Sequence, residues 1–198
     1  NGDFGRDLLR THYQQNHDDQ TEWEIMFNGK TLEGWKANED QESFSVQNGC
    51  IVANANNRCH LFYQTNKPFK DFVFEAEVMT LPHSNSGIYF HTRFQDQGWP
   101  RAGFEYQINN TYHETKKNAS IYGVQDCLQA QAIDDNWFKV QIKVKGKRVI
   151  TKVDNKVIVD WTQPEDWQKG NTSHKILNEG TFALQGHDPE STVLFRNL

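Results

Sequence analysis

From Ser43 onward, apolar and polar residues alternate in short runs bounded by turn residues. In DFVFEAEVMTL, Phe72, Phe74, Ala76 and Val78 fall on one face, with Val73, Glu75, Glu77 and Met79 on the other. NWFKVQIKVKG sets Phe138, Val140, Ile142 and Val144 against Trp137, Lys139, Gln141 and Lys143. This half-polar alternation predicts antiparallel strands with one face on a core. SFSVQ, CIVA, HLFYQT, RVITKVDN, VIVDW, GTFALQGHD and TVLFRNL read as further strands. Asn48-Gly49, Lys67-Pro68, Pro82, Gly146-Lys147 and Asp154-Asn155-Lys156 punctuate them. Many short strands without βαβ alternation predict an all-β sandwich or jelly roll. Its core is expected to hold Phe72, Phe74, Val78, Val140, Ile142 and Leu184.

The ends and loops are less patterned. Residues 1–22 are polar and charged and read as a lead-in arm, with a short helix near Asp7 to Gln15. A single domain is expected over residues 23–198. WEIMFNGKTLEGWKA reads as a short strand entering an Asn28-Gly29 turn. TYHETKKNA is polar and reads as a long surface loop. Pro164 to Lys175 reads as loop, with one helical turn around Glu165 to Gln168.

Candidate chemistry concentrates between Asn85 and Asn110. Asn85-Ser86-Gly87 is a turn signal, and IYFH after it suits a strand. A loop marked by Gly98 and Pro100 separates it from a second strand, GFEYQIN. Period-two alternation puts Glu105, Gln107 and Asn109 on one face of that strand. On the first strand, Tyr89, His91 and Arg93 share a face. Pairing the strands would collect Tyr89, His91, Glu105 and Gln107 on one surface. A carboxylate, an amide, an imidazole and a phenol together suit sugar binding; an ordinary solvated sheet face is the alternative. Gln185 and His187 share a face of a later strand, with Asp188 following. Trp35, Trp99 and Tyr122 stand beside Gly or Pro in expected loops, where aromatic rings could line a sugar pocket or pack beneath it.

A net charge of −5 and a pI near 5.9 argue against nucleic acid or an anionic membrane as the main partner. No apolar run is long enough to span a bilayer. The first residue is Asn1, with no export signal visible, and removal of a signal peptide would place the protein in the periplasm, the medium or the cell surface. Cys50 and Cys59 flank the turn-rich ANANN stretch. A disulfide between them is one reading; with Cys127, three small buried thiols is the other.

The order of FNGKTLEGW, NSGIYFH, GFEYQIN, IYGV, NWFKVQIKVKGKRVITKVDNKVIVDW, GTFALQGHD and VLFRNL resembles a large bacterial family, the 3-keto-disaccharide hydrolases. The resemblance covers Trp23 to Leu198 and implies a concanavalin-like jelly-roll sandwich with antiparallel sheets. It also implies action on glycosides already oxidised at C3, by C2 deprotonation, elimination and hydration. Such chemistry needs a base near C2, a donor or metal at the enolate oxygen, and an acid for the leaving group. Glu105 is the one clear carboxylate on the candidate face, with Gln107 and His187 expected to position the sugar. The family commonly carries Arg where His91 stands, which makes His91 a candidate base or metal ligand. His91, His187 and Glu105 would suit a divalent metal if they converged. Two alternatives stand beside this expectation. A carbohydrate-binding module would tolerate Gln in place of Glu105, and an endoglycosidase would need a second carboxylate near it. The nearest sequence echo of the latter is Glu75 and Glu77, which also suit a solvent-facing strand.

Overall fold

A computed structural model describes residues 22–167 and 175–198. The helix expected near Asp7 to Gln15 lies outside the described residues. Among the described residues, twelve strands form two antiparallel sheets, giving an all-β, concanavalin-like jelly-roll sandwich. They are β1 (Trp35–Ala37), β2 (Phe44–Gln47), β3 (Cys50–Ala53), β4 (Cys59–Tyr63), β5 (Phe72–Thr80) and β6 (Asn85–Thr92). There follow β7 (Phe104–Asn109), β8 (Phe138–Lys145), β9 (Arg148–Val153), β10 (Lys156–Thr162), β11 (Thr181–Gly186) and β12 (Val193–Arg196). One sheet has the order β1-β4-β11-β6-β7, the other β10-β9-β8-β5-β12-β3-β2.

The hairpin turns follow their residues. Asn48 and Gly49, and Asp154 and Asn155, all have positive φ, which a tight turn matching strand twist requires. The core lies between the sheets, where Phe74, Val78, Val140, Ile142 and Leu184 are buried as expected, and Phe72 is half-buried against them. Phe74 stacks on Phe182 across the sandwich, with centroids 4.7 Å apart. On the outer face of the larger sheet, Glu75 pairs with Lys139 at 2.7 Å and Glu77 with Arg196 at 2.6 Å. Both carboxylates are engaged there and neither lines the cavity described below.

Three expectations change. Trp23 to Met26 is not a strand; instead Met26 N–H donates to the Leu198 carbonyl, tying the entering chain to its last residue. Asn85-Ser86-Gly87 is not a turn but the start of β6. Cys50 and Cys59 do not lie on paired strands, since β3 and β4 belong to different sheets, and all three cysteines are free thiols. A reductant is therefore expected to leave the melting temperature unchanged. A thiol reagent should label the buried Cys50 and Cys59 only after unfolding, and fast labelling of either in the folded protein would contradict this packing.

Every residue of β6 and β7 is buried, so the smaller sheet is covered on both faces in this region. Its outward side carries polar residues, and the 110–127 segment closes over one end of it. Asn118 Oδ1 accepts from Asn109 N–H at 2.6 Å, and Asn109 Nδ2 donates to the carbonyls of Glu114 and Lys116. These buried amides add to the backbone bonds that pair the segment with β7, among them Ala119 N–H to the Gln107 carbonyl and Tyr122 N–H to the Glu105 carbonyl, and they satisfy one another where water does not reach.

Candidate active site

The outward face of the smaller sheet floors a cavity of about 570 Å³. Register aligns its floor in rows. Gln107 pairs with Gly87, and Glu105 with Tyr89. On the next strand, Ala183 pairs with Tyr89, and Gln185 pairs with His60 beyond. Asn85, Tyr89, Glu105, Gln107, Gln185 and His187 all line the cavity, and Trp99, Arg101, Tyr112, Glu114, Tyr122 and Lys175 contribute to its walls.

Glu105 lies at the centre of the polar network. Its Oε2 accepts from the Tyr89 hydroxyl at 3.0 Å, and its Oε1 accepts from Gln185 Nε2 at 2.9 Å. Gln185 stands two strands away, so Glu105 must lean across β6. Gly87 makes that path: a Cβ there would lie 2.3 Å from Oε1 and 2.8 Å from Cγ of Glu105. Burial raises the Glu105 pKa to about 7, against the hydrogen bonds from Tyr89 and Gln185 and the nearby Lys175 charge, which lower it. Burial, with the Glu105 charge beside it, pushes the Tyr89 hydroxyl well above its ordinary range, so Tyr89 stays a donor.

A second chain of hydrogen bonds crosses the floor. Gln107 Nε2 donates to Asn85 Oδ1 at 2.9 Å, and Asn85 Nδ2 lies 3.2 Å from His187 Nε2. His187 Nδ1 lies 2.5 Å from Asp188 Oδ2. Asp188 also accepts from the backbone N–H groups of Glu190 and Ser191, so its carboxylate is fixed. A carboxylate only accepts, so Nδ1 carries the proton and the Nε2 lone pair faces Asn85 and the cavity.

Glu105, Gln107, Tyr89, Gln185, His187, Tyr122 and Trp99 are thus brought together as expected from their strand faces and loops. His91, Arg93 and Trp35 are not. His91 has a φ of +53°, which breaks the alternation where the β6–β11 register also slips between Thr181 and Ala183. Its ring packs on Phe72, its Nδ1 accepts from Asn178 N–H at 3.3 Å, and its Nε2 lies 2.9 Å from the Lys70 carbonyl. Burial lowers its pKa, consistent with a neutral ring bridging two loops. Arg93 is exposed beside it, outside the cavity. Trp35 is buried in the core, where its indole N–H donates to the Met26 carbonyl at 2.7 Å.

The sequence matches the family described as the 3-keto-alpha-glucoside-1,2-lyase-like domain over residues 22–198. The chain belongs to that family. No curated protein matches it. Among solved structures, the fold of this lyase-like domain is similar to that of a proposed glycosyl hydrolase from Parabacteroides distasonis, with a TM-score of 0.73, 21% identity, and coverage of 87% of this chain and 89% of the other. It is also similar to a laminarinase from Flavobacterium sp. UMI-01, with a TM-score of 0.59, 13% identity, and coverage of 89% and 97%. A carbohydrate-binding module from Bacillus subtilis has a TM-score of 0.58 and 13% identity, with coverage of 88% and 97%. At these identities the likeness concerns the fold.

His91, His187 and Glu105 do not converge in this lyase-like domain. His91 is turned away from the cavity. Both nitrogens of His187 and both oxygens of Glu105 have protein partners. Among the described residues, no three His, Cys, Asp or Glu side chains are placed to share a cation. Asn85, Lys175, Tyr112 and Glu114 also line the cavity but were not singled out from the sequence. Asn85 looked like turn chemistry, and the others lie in segments without strand periodicity. Lys175 Nζ donates to the Tyr122 carbonyl at 2.6 Å, and burial lowers its pKa despite the attraction of Glu105. Glu114 accepts from the Tyr122 hydroxyl at 3.1 Å and braces that wall.

Proposed function

We propose that the domain cleaves 3-keto-glycosides by elimination and hydration, with Glu105 as its principal acid/base residue. The observation that carries this reading is a buried carboxyl in the cavity whose pKa is raised to about 7. A group of that pKa is populated as both base and acid near neutrality, which suits stepwise proton transfer.

A C3 ketone acidifies the C2 hydrogen. Glu105 takes that proton, and the C2–H electron pair becomes the C2–C3 π bond of an enolate. The Lys175 ammonium, in the same cavity, stabilises the oxyanion. An electron pair on the enolate oxygen then re-forms the C3 carbonyl, the C2–C3 π pair becomes the C1–C2 double bond, and the C1–O bond breaks with its pair leaving on the departing oxygen. Glu105 returns its proton to the departing oxygen. Water adds at C1 and a proton at C2, giving the free 3-keto sugar. Gln107, Asn85 and His187 supply the hydrogen bonds that orient the ring, and Trp99 and Tyr122 supply aromatic faces.

The test is incubation with a 3-keto-glucoside bearing deuterium at C2, with mass spectrometry of the released aglycone and sugar. Elimination washes deuterium out and slows turnover. Aglycone release with full retention of deuterium would replace this pathway by direct hydrolysis, and no release would leave a binding module.

The pH dependence follows from the same group. The free enzyme must hold Glu105 ionised to abstract a proton, so kcat/KM should rise about tenfold per pH unit toward a pKa of about 7 and level off above it. A profile that falls through this region would show that the protonated form acts first.

A further inference from the structure

The row of side chains that contains Gln185 ends at His60, and both carry polar atoms without partners among the described residues. His60 is fully buried, and neither its Nδ1 nor its Nε2 has a hydrogen-bond partner among the described residues. Gln185 is 2% exposed, and while its Nε2 donates to Glu105, its Oε1 has no partner among the described residues. The two residues face each other across the β4–β11 register. The His60 ring lies against Tyr89 at 5.2 Å and Trp99 at 5.5 Å between centroids, and both of those rings line the cavity. Trp99 is 46% exposed, so its indole covers His60 on one side and meets solvent on the other.

Burial with unmet hydrogen-bonding capacity is costly, and an apolar ring would fill the same space without that cost. Burial lowers the His60 pKa to about 3, so the ring is neutral and offers one N–H donor and one acceptor nitrogen. Together with the free Gln185 carbonyl, this matches a hydroxyl group, which accepts one hydrogen bond and donates another.

We propose that His60 and the Gln185 carbonyl form a sugar-hydroxyl subsite beneath the Trp99 indole, entered when a bound sugar displaces that ring. The hydroxyl donates to Gln185 Oε1 and accepts from the imidazole N–H. Gln185 thereby links the subsite to Glu105, so seating of the hydroxyl also fixes the amide that holds the carboxyl. The idea rests on the carbohydrate reading above but not on the elimination chemistry.

The experiment measures equilibrium binding, which needs no turnover. Wild type and His60→Phe are titrated with methyl glucosides, their 3-keto forms and the monodeoxy analogues, using tryptophan fluorescence, and both proteins are melted without ligand. His60→Phe keeps an aromatic ring, so its unliganded melting temperature is expected to equal or exceed that of wild type. Its affinity should fall about tenfold for the hydroxylated sugars. That loss should disappear for the one deoxy analogue lacking the seated hydroxyl. In wild type labelled with ¹⁵N histidine, saturation should shift the His60 imidazole resonances, a readout that survives if the variant misfolds. Unchanged affinity in a folded His60→Phe, unshifted His60 resonances at saturation, or no binding of any of these sugars would each overturn the subsite. Loss of aglycone release with a preserved His60 effect on binding would instead remove the elimination pathway and leave the subsite intact.

Discussion

Replacing Glu105 with Gln is expected to lower turnover of a 3-keto-glucoside by about 10²–10⁴-fold, the usual loss on removing a positioned base, while sugar binding persists. The substitution keeps size and hydrogen bonding. The Gln oxygen can accept from Gln185, which preserves the 2.9 Å bond, while its amide donates to the Tyr89 hydroxyl oxygen and so reverses the direction of the 3.0 Å one. What disappears is the ability to take a proton. Stability should move the other way at alkaline pH. Folding raises the Glu105 pKa from 4.5 to about 7, so the folded state holds the proton more tightly, and this favourable contribution is present below the unfolded value and lost as pH rises through about 7. The difference corresponds to ~3 kcal/mol. At pH 8, Glu105→Gln should therefore melt at or above wild type. A folded variant with near-normal turnover would reject Glu105 as the base and turn attention to His187, which lines the same cavity. A variant that fails to fold would show instead that the carboxyl is needed to hold the sheet.

Gly87→Ala should separate positioning from stability. The added Cβ would stand 2.3 Å from Glu105 Oε1 and 2.9 Å from its Cδ, so the carboxyl must move. Glu105 is enclosed, and forcing one more carbon beside it costs about 1–3 kcal/mol. The displaced group loses its geometry toward Gln185 and toward substrate. A shift on the order of 1 Å in a reacting group lowers turnover by about 10²-fold, which is the loss expected for kcat in Gly87→Ala. Circular dichroism and melting must accompany the kinetics. Retained turnover in the folded alanine variant would mean that Glu105 relaxes without consequence and that its lean across β6 is unimportant.

The sequence by itself determined the sandwich. Phe74, Ala76 and Val78, and Val140, Ile142 and Val144, alternate with mostly polar neighbours because those strands have one dry face and one wet one. A period-two pattern reports that asymmetry directly. It also determined that Glu105 and Gln107 share a face of one strand and that Gln185 and His187 share a face of another. The tertiary structure decided the rest for three physical reasons. First, β6 and β7 are covered on both faces, so alternation there no longer separates inside from outside, and Gly87 reads as a turn although it is a strand residue that clears a path for Glu105. Second, local pattern assumes regular backbone, and the positive φ at His91 turns its ring away from the cavity that Tyr89 enters. Gly103 and Gly180 permit that irregularity, since a Cβ on either would lie within 2.4 Å of a β6 carbonyl oxygen. Third, pairing between distant segments has no local signature. Cys50 and Cys59 are close in sequence yet lie in opposite sheets, whereas His60, Gln185 and Glu105 are far apart in sequence and share one face because β4, β11, β6 and β7 are neighbours in order.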